Sequence, residues 1–434
     1  MGLDLKEILN LKFETGDLMW VWFRFSILNN SFEKRNSKKS FIILKIFNII
    51  KSFKYIFFKR KKIIFITSTD FNFKSENGKR FINIQDKPYF DVFPNDTQIY
   101  EYPDNNINYK VPNVQKFSSF LFLIEVFCLS LAKLTPLRIR NEQKKFVTLL
   151  NNKIDIKKVQ KVENNIRYLK KGYEIFFKLT RPKIVFINCS FYGNKQGLLT
   201  KIAKDLGIKV VETQHGIVKG NFAYNYTNYE LENLNLRKYF PDYFLVYGTE
   251  WMKETNVPAN IVVVGNHNLN EYSKKEKKND INSYLIISRY DVTNIMIKLT
   301  ENLYQKNKNA IITFRLHPNE VLNKTQVEKL RKLNVKFSDK KENLYDEILR
   351  NYNIVGLNSN CLNEAIAFER KIYILDSIES RRSISTQVGN WIDNDFNIKI
   401  KNINNKNDYW EENFTINYKN FIEQIFNELD KKGK

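Results

Sequence analysis

Lys209-Val210-Val211-Glu212-Thr213-Gln214-His215-Gly216 is the stretch on which the reading of this chain turns. A run able to form a buried strand ends, and a glutamine, a histidine and a glycine follow at once. Upstream, residues 184–189 make a similar apolar run. Residues 196–206 between the two are patterned as a helix, with Gly207 suited to its C-terminal cap. Strand, helix and strand at this spacing form a β-α-β unit, whose two strands run parallel. In open parallel sheets ligands bind beyond the carboxyl ends of the strands. His215 stands at such an end, and the following Gly216 allows a sharp turn and a close ligand approach. An imidazole there can take a proton from an attacking hydroxyl near neutral pH.

The same alternation continues toward the C-terminus. Strands are predicted at 243–247, 261–264, 284–288, 310–316, 335–337, 354–357 and 371–375. Helices are predicted at 294–307, 325–333, 343–350 and 361–368, and an amphipathic helix at 418–429. Strands alternating with helices at this interval specify a doubly wound parallel sheet. Residues 231–242 read as the crossing between two domains. The domains are expected at 1–235 and 236–405, with a helical segment at 406–434 packing back on the first. Arg315-Leu316-His317-Pro318 ends one strand of the second half, so a second imidazole leaves a sheet edge. Two such edges suggest a cleft between two sheets that works on a small anionic substrate.

The 434 residues, 43% of them hydrophobic, are enough for large cores in more than one domain. Cys128, Cys189 and Cys361 are an odd and widely spaced set without a CxxC pair, which disfavours a disulfide framework or a zinc site and fits a reducing cytoplasm. No secretory signal is evident. The formal net charge is +24. No zinc finger, RNA-recognition or helix-turn-helix pattern accompanies it, so nucleic acid is not an expected partner. The charge reads as general surface lysine or as affinity for an anionic membrane. Residues 41–58 are apolar with polar positions at helical spacing and lysines on both flanks, which fits either an interfacial helix or a core helix of the first domain.

Several further residues sit at strand exits or helix starts. Arg315 and His317 can bind phosphate, the arginine through paired hydrogen bonds and the histidine as donor. Arg289 follows another strand and is a third candidate. Asn358-Ser359-Asn360 precedes the helix at 361–368. Ser359 there can cap the helix, and the helix N-terminus can hold a phosphate. Glu364, one turn in, can accept hydrogen bonds from a ribose. His267, after Gly265-Asn266, reads as structural or interdomain. No metal-binding or Walker-type motif is present, so a metal-independent mechanism without a cofactor is expected.

In order and placement these motifs resemble a group of bacterial GT-B glycosyltransferases of the capsule and teichoic-acid type: Kdo transferases, polysialyltransferases and glycerophosphotransferases. The resemblance covers residues 182–376. It rests on Gln214-His215-Gly216, on Gly265 with its neighbours, on Arg315 to Pro318, and on Ser359 with Glu364. It implies an α/β fold of two Rossmann-like domains facing a cleft, with the donor nucleotide on the second. His317 and Pro318 would contact donor phosphate. Ser359, Asn360 and Glu364 would hold phosphate and ribose, and His215 would be catalytic. Sialyl-transferring relatives use a carboxylate in an acidic-acidic-glycine motif. Glu76-Asn77-Gly78 is the nearest match and makes Glu76 a second candidate base. The implied activity is transfer of a sugar from a nucleotide-activated donor, CMP- or CDP-linked, to a surface polysaccharide or lipid-linked glycan at the inner face of the cytoplasmic membrane. The alternatives are a nucleotide-sugar epimerase or hydrolase of the same fold, and a non-catalytic basic glycan- or nucleic-acid-binding protein.

Overall fold

The computed structural model describes residues 4–29, 59–68, 72–74, 81–83, 85–102, 117–317, 320–338, 342–402 and 406–432. The segment 41–58, the candidate base Glu76 and Pro318 lie outside the described residues.

The described residues form two seven-stranded sheets and a separate two-stranded antiparallel pair (β2, Asn72–Lys74; β3, Phe81–Asn83). The first sheet holds β1 (Ile63–Ser68), β4 (Thr97–Tyr102), β5 (Phe117–Ser118), β6 (Ile184–Ile187), β7 (Lys209–Thr213), β8 (Tyr243–Val246) and β9 (Asn260–Val263) in the order β5-β4-β1-β6-β7-β8-β9. Every pairing in it is parallel. The second holds β10 (Ser283–Ile287), β11 (Ile311–Arg315), β12 (Lys336–Phe337), β13 (Asn353–Gly356), β14 (Lys371–Leu375), β15 (Asn390–Ile392) and β16 (Ile398–Ile400) in the order β12-β11-β10-β13-β14-β15-β16. Only β16 runs antiparallel there. This is the expected GT-B-like α/β arrangement of two doubly wound units. Strand order reverses between β1 and β6 in the first sheet and between β10 and β13 in the second. A crevice opens beyond the strand ends at such a reversal, because the flanking connections leave to opposite faces.

The period-two burial of a sheet covered on both faces is visible in β1. Ile64 and Ile66 join the large core shared with the helix Ile156–Thr180, while Ile63 and Phe65 face the other way. That second face is covered by the terminal helix Phe414–Lys432 through Phe414, Tyr418, Phe421, Ile422 and Ile425. Phe65 stacks on Phe186 at 4.2 Å, and Tyr89 meets the Tyr418 ring edge-on at 4.9 Å. Each such side chain contributes roughly 1.5–3 kcal/mol by leaving water.

The domain boundary expected at residue 235 falls too early. β8 pairs with β7, and β9 with β8, so the first sheet continues to Val263. Residues 231–242 link β7 to β8 within one sheet rather than crossing between sheets. The polar stretch before β6 is two helices, Asn141–Leu149 and Ile156–Thr180. Asn151 and Asn152 break it with positive φ, and Asp155 caps the second helix. Among the described residues no helix is long and apolar enough to cross a membrane.

Candidate functional site

The loop after β7 is built by Gln214. Its amide N–H donates to the Leu245 carbonyl at 2.8 Å, its side-chain oxygen accepts from the Tyr247 amide at 3.0 Å, and its side-chain nitrogen donates to the Gly216 carbonyl at 3.0 Å. The Tyr247 hydroxyl donates back to the Gln214 carbonyl. Gln214 is 1% exposed, so it braces the loop that presents His215. Gly216 has nothing within 4 Å of where a Cβ would stand and does not use the left-handed region. What a glycine supplies there is open space.

Gly265 is shaped by a close backbone neighbour. Its φ is +91°, and a Cβ would lie 2.2 Å from the Glu411 carbonyl oxygen. The close approach is made by the returning C-terminal segment. That segment is pinned by the Trp410 indole donating to the Asn363 carbonyl at 3.2 Å, the Trp251 indole donating to the Tyr409 carbonyl at 2.9 Å, and the Glu411 amide donating to the Tyr247 carbonyl at 2.8 Å.

Between the two sheets lies a cavity of about 130 Å³. The first half contributes Gln214, His215 and Tyr247, the linking segment Asn266 and His267, and the second half Tyr345 and Glu364. Gln85, Tyr89 and Phe414 complete the wall. His215 and Glu364, widely separated in sequence, therefore border one space.

The His215 ring is ordered from behind. Its Nδ1 lies 3.2 Å from the Tyr224 hydroxyl and its Nε2 3.6 Å from Cys189 Sγ. Burial lowers its pKa to about 4, with the Thr213 carbonyl opposing, so the ring is neutral at physiological pH. Glu364 is half-buried, and its Oε1 accepts from the Asn360 side-chain amide at 2.7 Å. Burial pushes its carboxyl up to about 8, against that hydrogen bond. A neutral imidazole thus shares a cavity with a protonated carboxylic acid, and such a pair can accept and donate protons at neutral pH.

The other anticipated residues are distributed differently. Ser359 caps the helix Asn360–Ala367 by accepting from the Cys361 amide at 3.3 Å, which leaves that helix start next to the cavity-lining Glu364. Arg315, expected to hold phosphate, is occupied within the second domain. It donates to the carboxylate of Glu347, to Ser338 Oγ at 3.2 Å and to the Glu342 carbonyl at 3.1 Å. Arg289 grips Asp291 with two hydrogen bonds. Both guanidiniums are neutralised by carboxylates from their own fold. His317 does not line the cavity shared with His215. Its amide donates to the buried Glu320 at 3.0 Å, and its ring faces Tyr290 at 6.4 Å. The picture of one imidazole from each sheet in a common gap is corrected accordingly: the second imidazole of the cavity is His267, read from sequence as structural. Its position at the first turn of the helix His267–Ser273, within the segment that passes between the halves, puts it there.

Sequence reasoning also passed over Tyr247, Tyr345, Tyr224 and Glu212. A usable signal existed for Glu212, since a carboxylate inside a run of valines in a strand covered on both faces rarely stays without a task.

Tyr224 is itself fixed by a distant element. Arg24, from the helix Met19–Leu28, donates to the Phe222 carbonyl and, at 2.9 Å, to the Asn225 carbonyl. The same guanidinium pairs with Glu230 at 2.6 Å, with only 4% and 2% of the two side chains exposed. The loop carrying Tyr224 is thereby clamped on both sides.

No protein-family model and no curated protein matches the sequence. Among solved structures, the chain is similar to the UDP-GlcNAc 2-epimerase from Methanocaldococcus jannaschii (TM-score 0.47, 12% identity, covering 84% of this chain and 99% of that one). It is also similar to the UDP-GlcNAc 2-epimerase from Neisseria meningitidis bound to UDP-GlcNAc (TM-score 0.45, 12% identity, 84% and 99%). A third is a ugt transferase from Siraitia grosvenorii in complex with UDP (TM-score 0.41, 8% identity, 86% and 94%). At these identities the likeness concerns the path of the backbone only.

Proposed function

We propose that this chain is an enzyme acting on a nucleotide-activated sugar bound between the two sheets. The observation that carries the reading is the single cavity bordered by His215 from the first half and Glu364 from the second. The nucleotide would lie on the second half, with phosphate at the start of the helix Asn360–Ala367 and ribose at Glu364. The sugar would then project toward His215. Side-chain donors and the helix N-terminus can carry charge on a leaving nucleotide phosphate.

The compact, two-sided space favours chemistry on one substrate, as in a nucleotide-sugar epimerase or hydrolase. Transfer to an acceptor is the second reading, favoured by the Gln214-His215-Gly216 element and its resemblance to capsule-type transferases. That reading brings with it a glycan or lipid-linked acceptor and an anionic membrane surface, to which a net charge of +24 would be drawn.

A thermal-shift screen against CMP, CDP, UDP, GDP and their sugars tests the shared part, because a ligand bound only by the folded state raises the melting temperature. Consumption of the responding sugar nucleotide is then followed with and without a glycan acceptor. His215→Asn is expected to cut turnover roughly 10²- to 10⁴-fold while leaving nucleotide binding in place. Turnover without acceptor selects the epimerase or hydrolase reading, and strict acceptor dependence selects transfer. Absence of a response to every nucleotide, or full activity in the variant, refutes the assignment.

A further inference from the structure

The wall behind His215 contains a group that the proposed reaction has not used. Glu212 is 0% exposed at the end of β7, amid Val210, Val211 and Thr213. Its Oε2 accepts from the Phe191 amide at 2.9 Å and its Oε1 from the Tyr224 hydroxyl at 2.9 Å. Tyr224, 1% exposed, stands 3.2 Å from His215 Nδ1. The phenol cannot swing away, because its ring stacks on Phe244 at 5.1 Å and meets Phe191 edge-on at 5.7 Å. Carboxyl, phenol and imidazole therefore form one line from the core to the cavity.

We propose that Glu212 and Tyr224 are positioning residues for His215, forming a hydrogen-bonded relay that sets which ring nitrogen carries the proton and gives that proton a buried destination. The proposal rests on reading His215 as the proton-transfer group of the cavity, but its test reads the ring itself.

A structural role alone accounts poorly for this carboxyl. A buried carboxyl without a cation is costly, and leucine or valine would fill the space without that cost. The groups facing Glu212 are the phenols of Tyr192, Tyr224 and Tyr226 and the Ser190 and Phe191 amides. Among the described residues no lysine or arginine forms an ion pair with it. Arg24 lies beyond Tyr226, 3.7 Å over that ring, and is paired with Glu230. Burial pushes Glu212 up to about 8, while the amides and the Tyr224 hydroxyl pull the other way.

The protons balance. With Glu212 ionised, Nδ1–H donates to the Tyr224 oxygen, Tyr224 O–H donates to the carboxylate, and the Nε2 lone pair accepts from the Cys189 thiol. A proton accepted at Nε2 turns that thiol into an acceptor and releases the Nδ1 proton to Tyr224, whose own proton passes to Glu212. The line then runs from carboxylic acid to phenol to Nδ1, with Nε2–H against the Cys189 sulfur. One proton has entered, the imidazole is neutral at both ends of the transfer, and the charge change falls on Glu212. This suits a ring whose surroundings disfavour the imidazolium. It also gives the site a working base far stronger than an imidazole with a pKa near 4. The logic matches that of a carboxylate fixing a histidine tautomer in hydrolase triads, here extended by one phenol.

The chain has three histidines, so ring-nitrogen and Cε1 labelling yields three imidazole signals, and His215→Asn identifies the relevant one. In the full-length wild type the His215 signal should exchange one neutral tautomer for the other with a midpoint near 8. Glu212→Gln should abolish that step and hold a single tautomer, and Tyr224→Phe should uncouple the ring. Glu212→Gln is close to isosteric and reads the step even if Tyr224→Phe does not fold. In an active preparation Glu212→Gln should also lower turnover by roughly 10²-fold or more with nucleotide binding unchanged. A wild-type ring that keeps one tautomer across the midpoint, or a step that persists in Glu212→Gln, overturns the relay. Neither result depends on the substrate, so failure of the nucleotide-sugar reading is recognised separately.

Discussion

Removing the Arg24 guanidinium tests whether the N-terminal helix Met19–Leu28 holds the loop behind His215. In Arg24→Met the aliphatic stem remains. Glu230 keeps the Trp20 indole at 2.7 Å and the Thr227 amide at 2.9 Å, but it loses its cation. The Phe222 and Asn225 carbonyls lose their donor as well. Breaking a buried ion pair from one side costs about 3–5 kcal/mol, because the remaining charge stays out of water. At about 1.4 kcal/mol per tenfold, this is a loss of protection of roughly 10²- to 4 × 10³-fold in native-state hydrogen exchange. The reporters are the amides of Tyr224, Tyr226 and Asn256, which bond to Asn221, Asn256 and Tyr224.

The effect carries a pH signature. Burial alone would raise the Glu230 carboxyl, but the hydrogen bond and charge of Arg24, with the Thr227 and Trp20 donors, hold it below its usual range. A depressed carboxyl contributes stability above its unfolded value, about 4.3, and loses it as pH falls through the folded value. In the variant the same carboxyl is buried without a cation, and its charged form becomes a cost that grows as pH rises. The deficit should therefore be largest at neutral pH and shrink below about 4. Glu230→Gln added to Arg24→Met should restore much of the protection. A deficit equal at both pH values, a loss spread evenly over the chain, or no recovery in the double variant refutes the reasoning.

Three further outcomes follow from the site. Glu364→Gln should gain stability on the wild type as pH rises from the ordinary carboxyl value to about 8, where the gap levels off, because the folded state keeps a proton that the unfolded chain has released; melting temperatures across that range check it. Gly265→Ala should destabilise by more than the roughly 1–3 kcal/mol of its φ strain, since the new Cβ meets the Glu411 oxygen. Gly216→Ala, with open space around it, should melt like the wild type and lose activity only if substrate occupies that space.

The alternation of apolar strands and helices made most of the second half legible, because each buried strand is a short run closed by polar or glycine residues. β14 was placed to the residue. Sheet membership was not legible. Nothing local to Tyr243–Val246 or Asn260–Val263 says which sheet they join, since that is decided by long-range pairing to β7. The candidate site divides in the same way. His215, after a strand exit, and Glu364, after a helix cap, stand out in the sequence, and the fold brings them to one cavity. For Arg315, a guanidinium suited to phosphate is equally suited to Glu347, and that partner 32 positions away is visible only in the fold. Tyr224 carries no mark in its own neighbourhood, as its role comes from Glu212 and His215 on another element.

The chain passes from the first sheet to the second between Val263 and Ser283 and returns between Ile400 and Phe414, ending as a helix on the half where it began. The two connections touch where the Gly265 backbone meets the Glu411 carbonyl, so neither can shift without the other. Asn266, His267 and Phe414, on or next to those connections, line the same cavity as His215 and Glu364, which ties the surroundings of that pair to the packing of the two crossings.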